Sequence, residues 1–381
     1  MLTISYLRYP DGEVESVESD FLLGGTYKIL VAPSTYELLA IFGTEWPTNL
    51  RFVGFGDISL DSLEPVLQGI QAQTIGLLTS GTTAQPKLVL KDLSSFFVSR
   101  KPDQNQKLTW GHFYDNSRIA SQNVVCHVLQ SGGRLAERPN GASYKEILDF
   151  YSRAKVSAIA ATPSLVRYLM ASETFRNLKL QQISLGGEMA DDFLLTNLRA
   201  TFPEARITHV YATTETGSLF SVSDGMAGFP LSYLGKPLAG NRTLFVRDNV
   251  LVVRDLESDV EFETGDTVRI DNQASRVLFE GRKGDFINVG GRKVSPVKVR
   301  NAVLSHPLVS GCQVFAVTNK FLGEVVGVQI SSPAGEQIQT EVNELLNSLL
   351  EKWERPLLVE WSEEVSLGAN GKSAPRRRVD S

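Results

Sequence analysis

The stretch Thr79-Ser80-Gly81-Thr82-Thr83-Ala84-Gln85-Pro86-Lys87 decides how the rest of the chain is read. Small hydroxyl side chains flank a glycine, and a lysine closes the segment. Apolar runs stand on both sides, Ile75 to Leu78 and Leu88 to Leu90, so a loop between two strands is predicted. Successive backbone N–H groups and hydroxyls in such a loop make a concave donor surface suited to phosphate oxygens. The pattern is not a Walker loop, because Pro86 occupies the second glycine position and a strand pattern follows in place of a helix. An ordinary polar hairpin turn is the competing reading of these nine residues alone.

Working outward, four further segments follow in order: Tyr211-Ala212-Thr213-Thr214-Glu215, then Thr264-Gly265-Asp266, then Gly281-Arg282-Lys283-Gly284-Asp285 running on through Gly290-Gly291-Arg292-Lys293-Val294-Ser295-Pro296, and last Asn370-Gly371-Lys372. Together with the first stretch they resemble the phosphate loop, the Y-G-x-T-E, T-G-D and hinge segments and the catalytic-lysine segment of the adenylate-forming superfamily. That family holds acyl- and aryl-CoA ligases, peptide-synthetase adenylation domains and luciferases. T-G-D or G-K alone carries almost no information; five segments in order over residues 79–372 carry a great deal. Only 78 residues precede the loop, far fewer than in most relatives. The likeness is therefore greatest to the short o-succinylbenzoate–CoA ligases of menaquinone biosynthesis, and a reduced first subdomain is expected.

Composition sets the outer bounds. At 381 residues and 42% hydrophobic content the chain can bury more than one core. A net charge of −5 argues against a nucleic-acid surface, although Arg376-Arg377-Arg378 form a local basic tail. Cys126 and Cys312, both in apolar surroundings, are too few for a disulfide framework and read as buried free thiols of a reducing compartment. Charges at Arg8, Asp11 and Glu13 do not suit a signal peptide, and no apolar run reaches the ~18 residues of a membrane span. A cytoplasmic protein without a membrane partner is expected, as monomer or homodimer.

The predicted fold class is α/β. Short strand-like and helix-like runs alternate over residues 1–72, with helices expected at Ser34 to Phe42 and Asp61 to Gln71. From 143 to 210 strands and helices alternate: helix Tyr144 to Ala154, strand Ala158 to Ala161, helix Ser164 to Ala171 behind Thr162-Pro163, strand Ile183 to Leu185, helix Asp191 to Thr201 and strand Ile207 to Tyr211. Such alternation implies a parallel sheet covered on both faces. Between 231 and 280 β-runs with turns predict a small antiparallel barrel or sheet, with strands Thr243 to Val246, Val250 to Arg254, Thr267 to Ile270 and Arg276 to Glu280. Beyond it an α+β unit is expected, with helices 296–305 and 339–353 and strands near 313–317 and 325–330. The boundary falls at about residue 281: residues 1–280 form a large ATP- and acyl-binding domain, and 281–381 a small mobile lid.

The family resemblance implies roles for individual residues. Thr79, Ser80, Gly81, Thr82, Thr83 and Lys87 hold the β- and γ-phosphates of ATP, Thr214 binds the α-phosphate and Glu215 ligates Mg²⁺, a hard cation that prefers carboxylate oxygen. Gly186, Gly187, Glu188, Tyr211 and Ala212 form an adenine slot. Asp266, a two-oxygen acceptor, takes the ribose hydroxyls with Arg282 assisting. Lys372 enters and leaves the site, bridging the incoming carboxylate and the α-phosphate. A strand-to-helix turn at Gly186-Gly187, a turn cap at Asp266 and a solvated tail lysine at Lys372 are the plainer alternatives.

Three positions depart from the family pattern. Ala84 and Ala212 replace usual glycines and penalise positive φ, so those positions are helical or extended, or the loop is shifted. Gly284 stands where relatives place a hinge aspartate, with Asp285 next, and a glycine hinge still permits rotation. The run Trp110 to Ser121 resembles the family's acyl-pocket segment, implying that Tyr114, Arg118, Ser121 and Thr213 face the acid. Asp115 also resembles the aspartate of amino-acid-activating domains, and Arg118 meets a second carboxylate or lies on the surface. The expected activity is ATP-dependent conversion of a small o-succinylbenzoate-like or aryl carboxylic acid to an acyl-adenylate, then transfer to coenzyme A. A stand-alone adenylation enzyme loading carrier-protein phosphopantetheine is one alternative; a degenerate nucleotide-binding protein is another.

Overall fold

A computed structural model of the protein describes residues 4–7, 14–17, 28–31, 50–55, 74–79, 87–92, 107–114, 119–136, 141–213, 216–238 and 240–362. The helices expected at Ser34 to Phe42 and Asp61 to Gln71 lie outside these residues. The chain divides into two compact units. One comprises residues 1–161, 174–187 and 204–221; the other comprises 162–173, 188–203 and 222–381.

In the first unit β1 (Ile4–Leu7) and β2 (Val14–Val17) pair antiparallel. Strands β3 (Lys28–Val31), β4 (Leu50–Phe55), β5 (Thr74–Thr79) and β6 (Lys87–Asp92) make a four-stranded sheet in that order. Its first three strands are parallel, and β6 returns antiparallel to β5. A larger sheet adds β7 (Thr109–His112), β8 (Arg134–Ala136), β9 (Ala158–Ala161), β10 (Gln182–Gly186), β11 (Arg206–Thr213) and β12 (Gly217–Val222) to the first two strands, in the order β12-β11-β10-β9-β7-β8-β1-β2. The run from β11 to β1 is parallel throughout. The Ala-Ile-Ala-Ala of β9 is buried along its whole length, as a central strand covered on two faces requires.

The connecting helices start where their caps dictate. They are α1 (Ile119–Ser131), α2 (Tyr144–Arg153), α3 (Pro163–Leu169) and α4 (Asp192–Thr201). Ser143 accepts the Glu146 N–H at 3.3 Å while the Glu146 carboxylate accepts the Ser143 N–H at 2.8 Å, a reciprocal capping box. These bonds hold the Glu146 carboxyl below its ordinary pKa. Thr162 caps α3 with Pro163 in its first turn, and Asp191 caps α4. The start sites expected from the sequence agree.

In the second unit β13 (Phe229–Pro230), β14 (Arg242–Arg247), β15 (Val250–Asp255), β16 (Glu261–Asp271) and β17 (Arg276–Arg282) form an antiparallel sheet, ordered β13-β17-β16-β15-β14. Asp248 (φ 51°) and Asn249 (φ 60°) turn β14 into β15 as a two-residue hairpin loop, a conformation that these two residue types tolerate. A separate sheet follows, built from β18 (Ile287–Val289), β19 (Arg292–Val294), β20 (Gly311–Asn319), β21 (Gly323–Ser331) and β22 (Leu358–Ser362). Helices α5 (Pro296–Leu304) and α6 (Gln339–Leu349) contribute Val299, Val303, Val342 and Leu346 to a core with Val328 and Ile330. The second helix stops at Leu349, short of the expected residue 353. The following residues turn instead, with the Glu354 carboxylate accepting the Glu351 N–H at 3.0 Å and pairing with Lys298.

Candidate active site

The topology itself marks a position in the first unit. β7 is followed by a crossover to β8 on one side, while β9, its other neighbour, leads on to β10 in the opposite direction. Ligands of open α/β sheets bind at such reversals, beyond the carboxyl ends of the strands. The end of β7 is His112, which is fully buried. Its N–H donates to the Tyr151 hydroxyl oxygen at 3.1 Å, and that hydroxyl donates back to the His112 carbonyl at 2.7 Å. A Cβ on Gly111 would lie 2.6 Å from the Tyr151 ring, so only glycine lets β7 and the α2 tyrosine approach this closely.

His112 Nδ1 is 3.2 Å from the Tyr114 carbonyl, which can only accept, so Nδ1 carries the proton. In the neutral ring Nε2 is then the acceptor, and it faces the buried Ser121 hydroxyl at 3.5 Å. Of the residues expected around the acid, Tyr114 and Ser121 are thus gathered about one buried histidine. Sequence reasoning gave His112 no role, although it lies inside the quoted run. Its partner Tyr151 lies 39 residues away, and only a strand–helix contact unites them. Tyr114 is buried and its hydroxyl lies 3.3 Å from where a Cβ on Gly186 would stand, which joins the ends of β7 and β10. Asp115 and Arg118 lie outside the described residues.

Gly187 adopts φ +80°, the left-handed region that favours glycine. On the adjacent parallel strand Tyr211 stacks on Phe220, with ring centroids 5.1 Å apart and 22° between planes. Ala212 lies within β11 and is extended, so alanine there carries no positive-φ strain. The Thr213 hydroxyl oxygen accepts the Thr216 N–H at 3.1 Å and bonds the Thr216 hydroxyl at 2.9 Å. This turn brackets Thr214 and Glu215, which lie outside the described residues. At the opening stretch, Thr79 and Lys87 are register partners across β5 and β6, so two paired strands flank the glycine-containing segment. Residues 80–86, with Ser80, Gly81, Thr82, Thr83 and Ala84, lie outside the described residues, as does Lys372.

In the second unit Thr264, Gly265 and Asp266 form a tied corner of β16. The Thr264 hydroxyl donates to the Leu251 carbonyl at 2.8 Å and accepts the Asp266 N–H at 3.1 Å. Gly265 takes φ +77°. Arg282, the register partner of Asp266, donates from Nε to Asp266 Oδ1 at 3.0 Å and from Nη2 to the Thr264 carbonyl at 3.1 Å. The guanidinium therefore fixes the carboxylate in orientation. Burial raises the nearby Asp285 carboxyl above its ordinary pKa, and Asp266 adds to the rise while Arg282 opposes it. The Glu188 carboxylate accepts the Ser164 N–H at 3.0 Å in the first turn of α3. Among the described residues no cluster of three or more His, Cys, Asp or Glu could hold a metal, and no helix is long and apolar enough to cross a membrane.

The chain is similar to several known proteins in sequence and in fold. Residues 75–253 match the model of the AMP-binding enzyme family. A 2-succinylbenzoate–CoA ligase of Lactococcus lactis is 26% identical over 244 residues, covering 60% of this chain and 52% of the relative. A 2,3-dihydroxybenzoate-AMP ligase of Bacillus subtilis is 24% identical over 290 residues, covering 65% and 52%. The chain thus spans about half the length of these curated relatives. The fold matches an o-succinylbenzoate CoA synthetase from Bacillus subtilis, solved with the acyl-adenylate OSB-AMP, at TM-score 0.62 and 17% identity, covering 92% of this chain and 87% of that one. Residues 75–253 are thus similar to the AMP-binding enzyme family, in a chain that shares its fold with this acyl-adenylate-bound synthetase.

Proposed function

We propose that this protein activates a small carboxylic acid with ATP and passes the acyl group to a thiol, with coenzyme A as the acceptor. The substrate carboxylate oxygen attacks the α-phosphorus and pyrophosphate leaves. The thiolate sulfur then attacks the acyl carbonyl and AMP leaves. The observation that carries the reading is the Thr264–Asp266–Arg282 corner, a pre-oriented carboxylate of the kind that would accept the two ribose hydroxyls, in a chain bearing the other family segments in order. Tyr211, backed by Phe220, would offer adenine a flat face. Residues 79–87 would cradle phosphates and Glu215 would hold Mg²⁺, which supplies neutralising charge when bound. The acid is o-succinylbenzoate-like or aryl in this reading, meeting Tyr114 and Ser121 beside His112, with Arg118 taking a second carboxylate. Residues 281–381 would act as a lid turning about Gly284-Asp285 and carrying Lys372.

A carrier-protein acceptor is the second reading, favoured by Asp115, which resembles the aspartate of amino-acid-activating domains. Pyrophosphate release, measured with ATP and Mg²⁺ across aryl and dicarboxylic acids, tests the first step. Adding coenzyme A or a phosphopantetheinylated carrier protein then separates the acceptors by thioester formation. Calorimetric binding of ATP without turnover of any acid would overturn both and leave a nucleotide-binding protein.

A further inference from the structure

A cluster outside the candidate site ties α3 to α5. Arg167, 8% exposed, forms an ion pair with Asp191, the cap of α4, and its other Nη donates to the Leu304 carbonyl at 3.4 Å. Leu304 ends α5, where the helix dipole favours a cation. One turn earlier on α3, the Ser164 hydroxyl accepts from Arg300 of α5, and the Ser164 N–H is the donor to Glu188. Both guanidiniums line a small cavity with Ser164, Leu304, Ser310, Gly311 and Cys312. Burial pushes the Cys312 thiol up to about 12, so it stays neutral there.

The charge account of this junction is lopsided. Two guanidiniums enter it, yet Asp191 is the one carboxylate in direct ion pair with either among the described residues. Arg300 Nε is buried without a hydrogen-bond partner. The orphaned Nε costs part of what the directed bonds to Ser164, Asp191 and the Leu304 carbonyl contribute, so the junction is held by these few oriented bonds alone. Such a contact is suited to forming and releasing.

We infer that Arg300 and Arg167 are positioning residues of a releasable latch that holds α5 and β20 against α3, and that the Glu188–Ser164–Arg300 chain couples this docking to the Glu188 carboxylate. The inference rests on the proposed lid motion of residues 281–381. Opening the latch frees the lid helix; closing it draws on the same serine whose N–H holds Glu188.

The test uses the intact chain and two readouts. Arg300→Met removes the donor, Ser164→Ala removes its acceptor, and Arg300→Lys restores charge and part of the reach. Hydrogen exchange of amides in α3 and α5 is followed without ligand, for each single variant and the Arg300→Met, Ser164→Ala double. The expected result is faster exchange in both helices from either single change, about fivefold or more, with the double no worse than one single. The pyrophosphate-forming and thiol-acylating rates, the latter from preformed acyl-adenylate, should change in ratio by about fivefold or more, with Arg300→Lys recovering part of it. Exchange confined to the mutated helix, additive effects, or equal loss in both half-reactions would overturn the latch. If the wild-type protein turns over no acid, the proposed function fails, while the exchange result still decides whether the helices are coupled.

Discussion

Asp266 and Arg282 show how much a single pair can and cannot do. Their ion pair leaves Arg282 50% exposed, so it adds only about 0–1 kcal/mol to stability. Its role is to aim the carboxylate, and the chemical consequence should separate from the thermodynamic one. Asp266→Ala is expected to raise the ATP concentration needed for half-maximal pyrophosphate release by roughly tenfold or more, since hydrogen bonds to a charged acceptor contribute about 1.5–3 kcal/mol. The melting temperature should move little. Unchanged ATP dependence would sink the ribose assignment. Lys372 presents the sharper case, because its charge matters only while carboxylate and α-phosphate oxygens crowd together. Lys372→Ala should slow adenylate formation by about 10²–10³ and leave thioester formation from preformed adenylate nearly intact. Equal loss in both steps, or in neither, would remove Lys372 from the reaction.

Elements were legible wherever their signals are local. Helix starts at Tyr144, behind Thr162-Pro163 and at Asp191 were read from the sequence, and the structure caps these helices with Ser143, Thr162 and Asp191. The apolar runs of β9, β10 and β11 likewise stand out. Signals that depend on distant partners were not legible. β16 begins at Glu261, six residues ahead of its expected start, because its polar first half is held by pairing with β15. β12 and β22 were not read as strands at all, so the Phe220 that backs Tyr211 went unseen. The end of α6 is set by Glu354 and Lys298, 56 residues apart. The site followed the same rule: its motif residues were visible one by one, whereas the His112–Tyr151 contact needs the fold. Gly111 tests that contact. Gly111→Ala drives a methyl into the fully buried Tyr151 ring, and overpacking of this kind costs about 1–3 kcal/mol. The denaturant midpoint should fall accordingly with an unchanged slope, and Gly111→Ala combined with Tyr151→Phe should not relieve it, since the ring and not the hydroxyl is in the way. Full relief by Tyr151→Phe would show that the hydroxyl bridge to His112, and not the ring, sets the spacing.

At the scale of the whole molecule the proposed chemistry needs two arrangements of one chain, and Gly284 is where the backbone offers the change. It adopts φ +102°, which L side chains rarely take, and no atom lies within 4 Å of the position a Cβ would occupy. Gly284→Ala therefore adds backbone strain without a steric clash. Strain at such a φ is worth on the order of 1–3 kcal/mol, which shifts an equilibrium between two lid orientations by roughly 5- to 150-fold away from the one recorded here. The expected outcome is a changed ratio of adenylate-forming to thiol-acylating rates, accompanied by altered protease cleavage across residues 281–290. A turn with no part in rotation behaves differently: the alanine variant would melt earlier and lose both rates in proportion, with the ratio preserved. Because the substitution touches no neighbouring side chain, a changed ratio can come only from the backbone path between residue 283 and residue 285, which is the rotation the proposed two-step reaction requires.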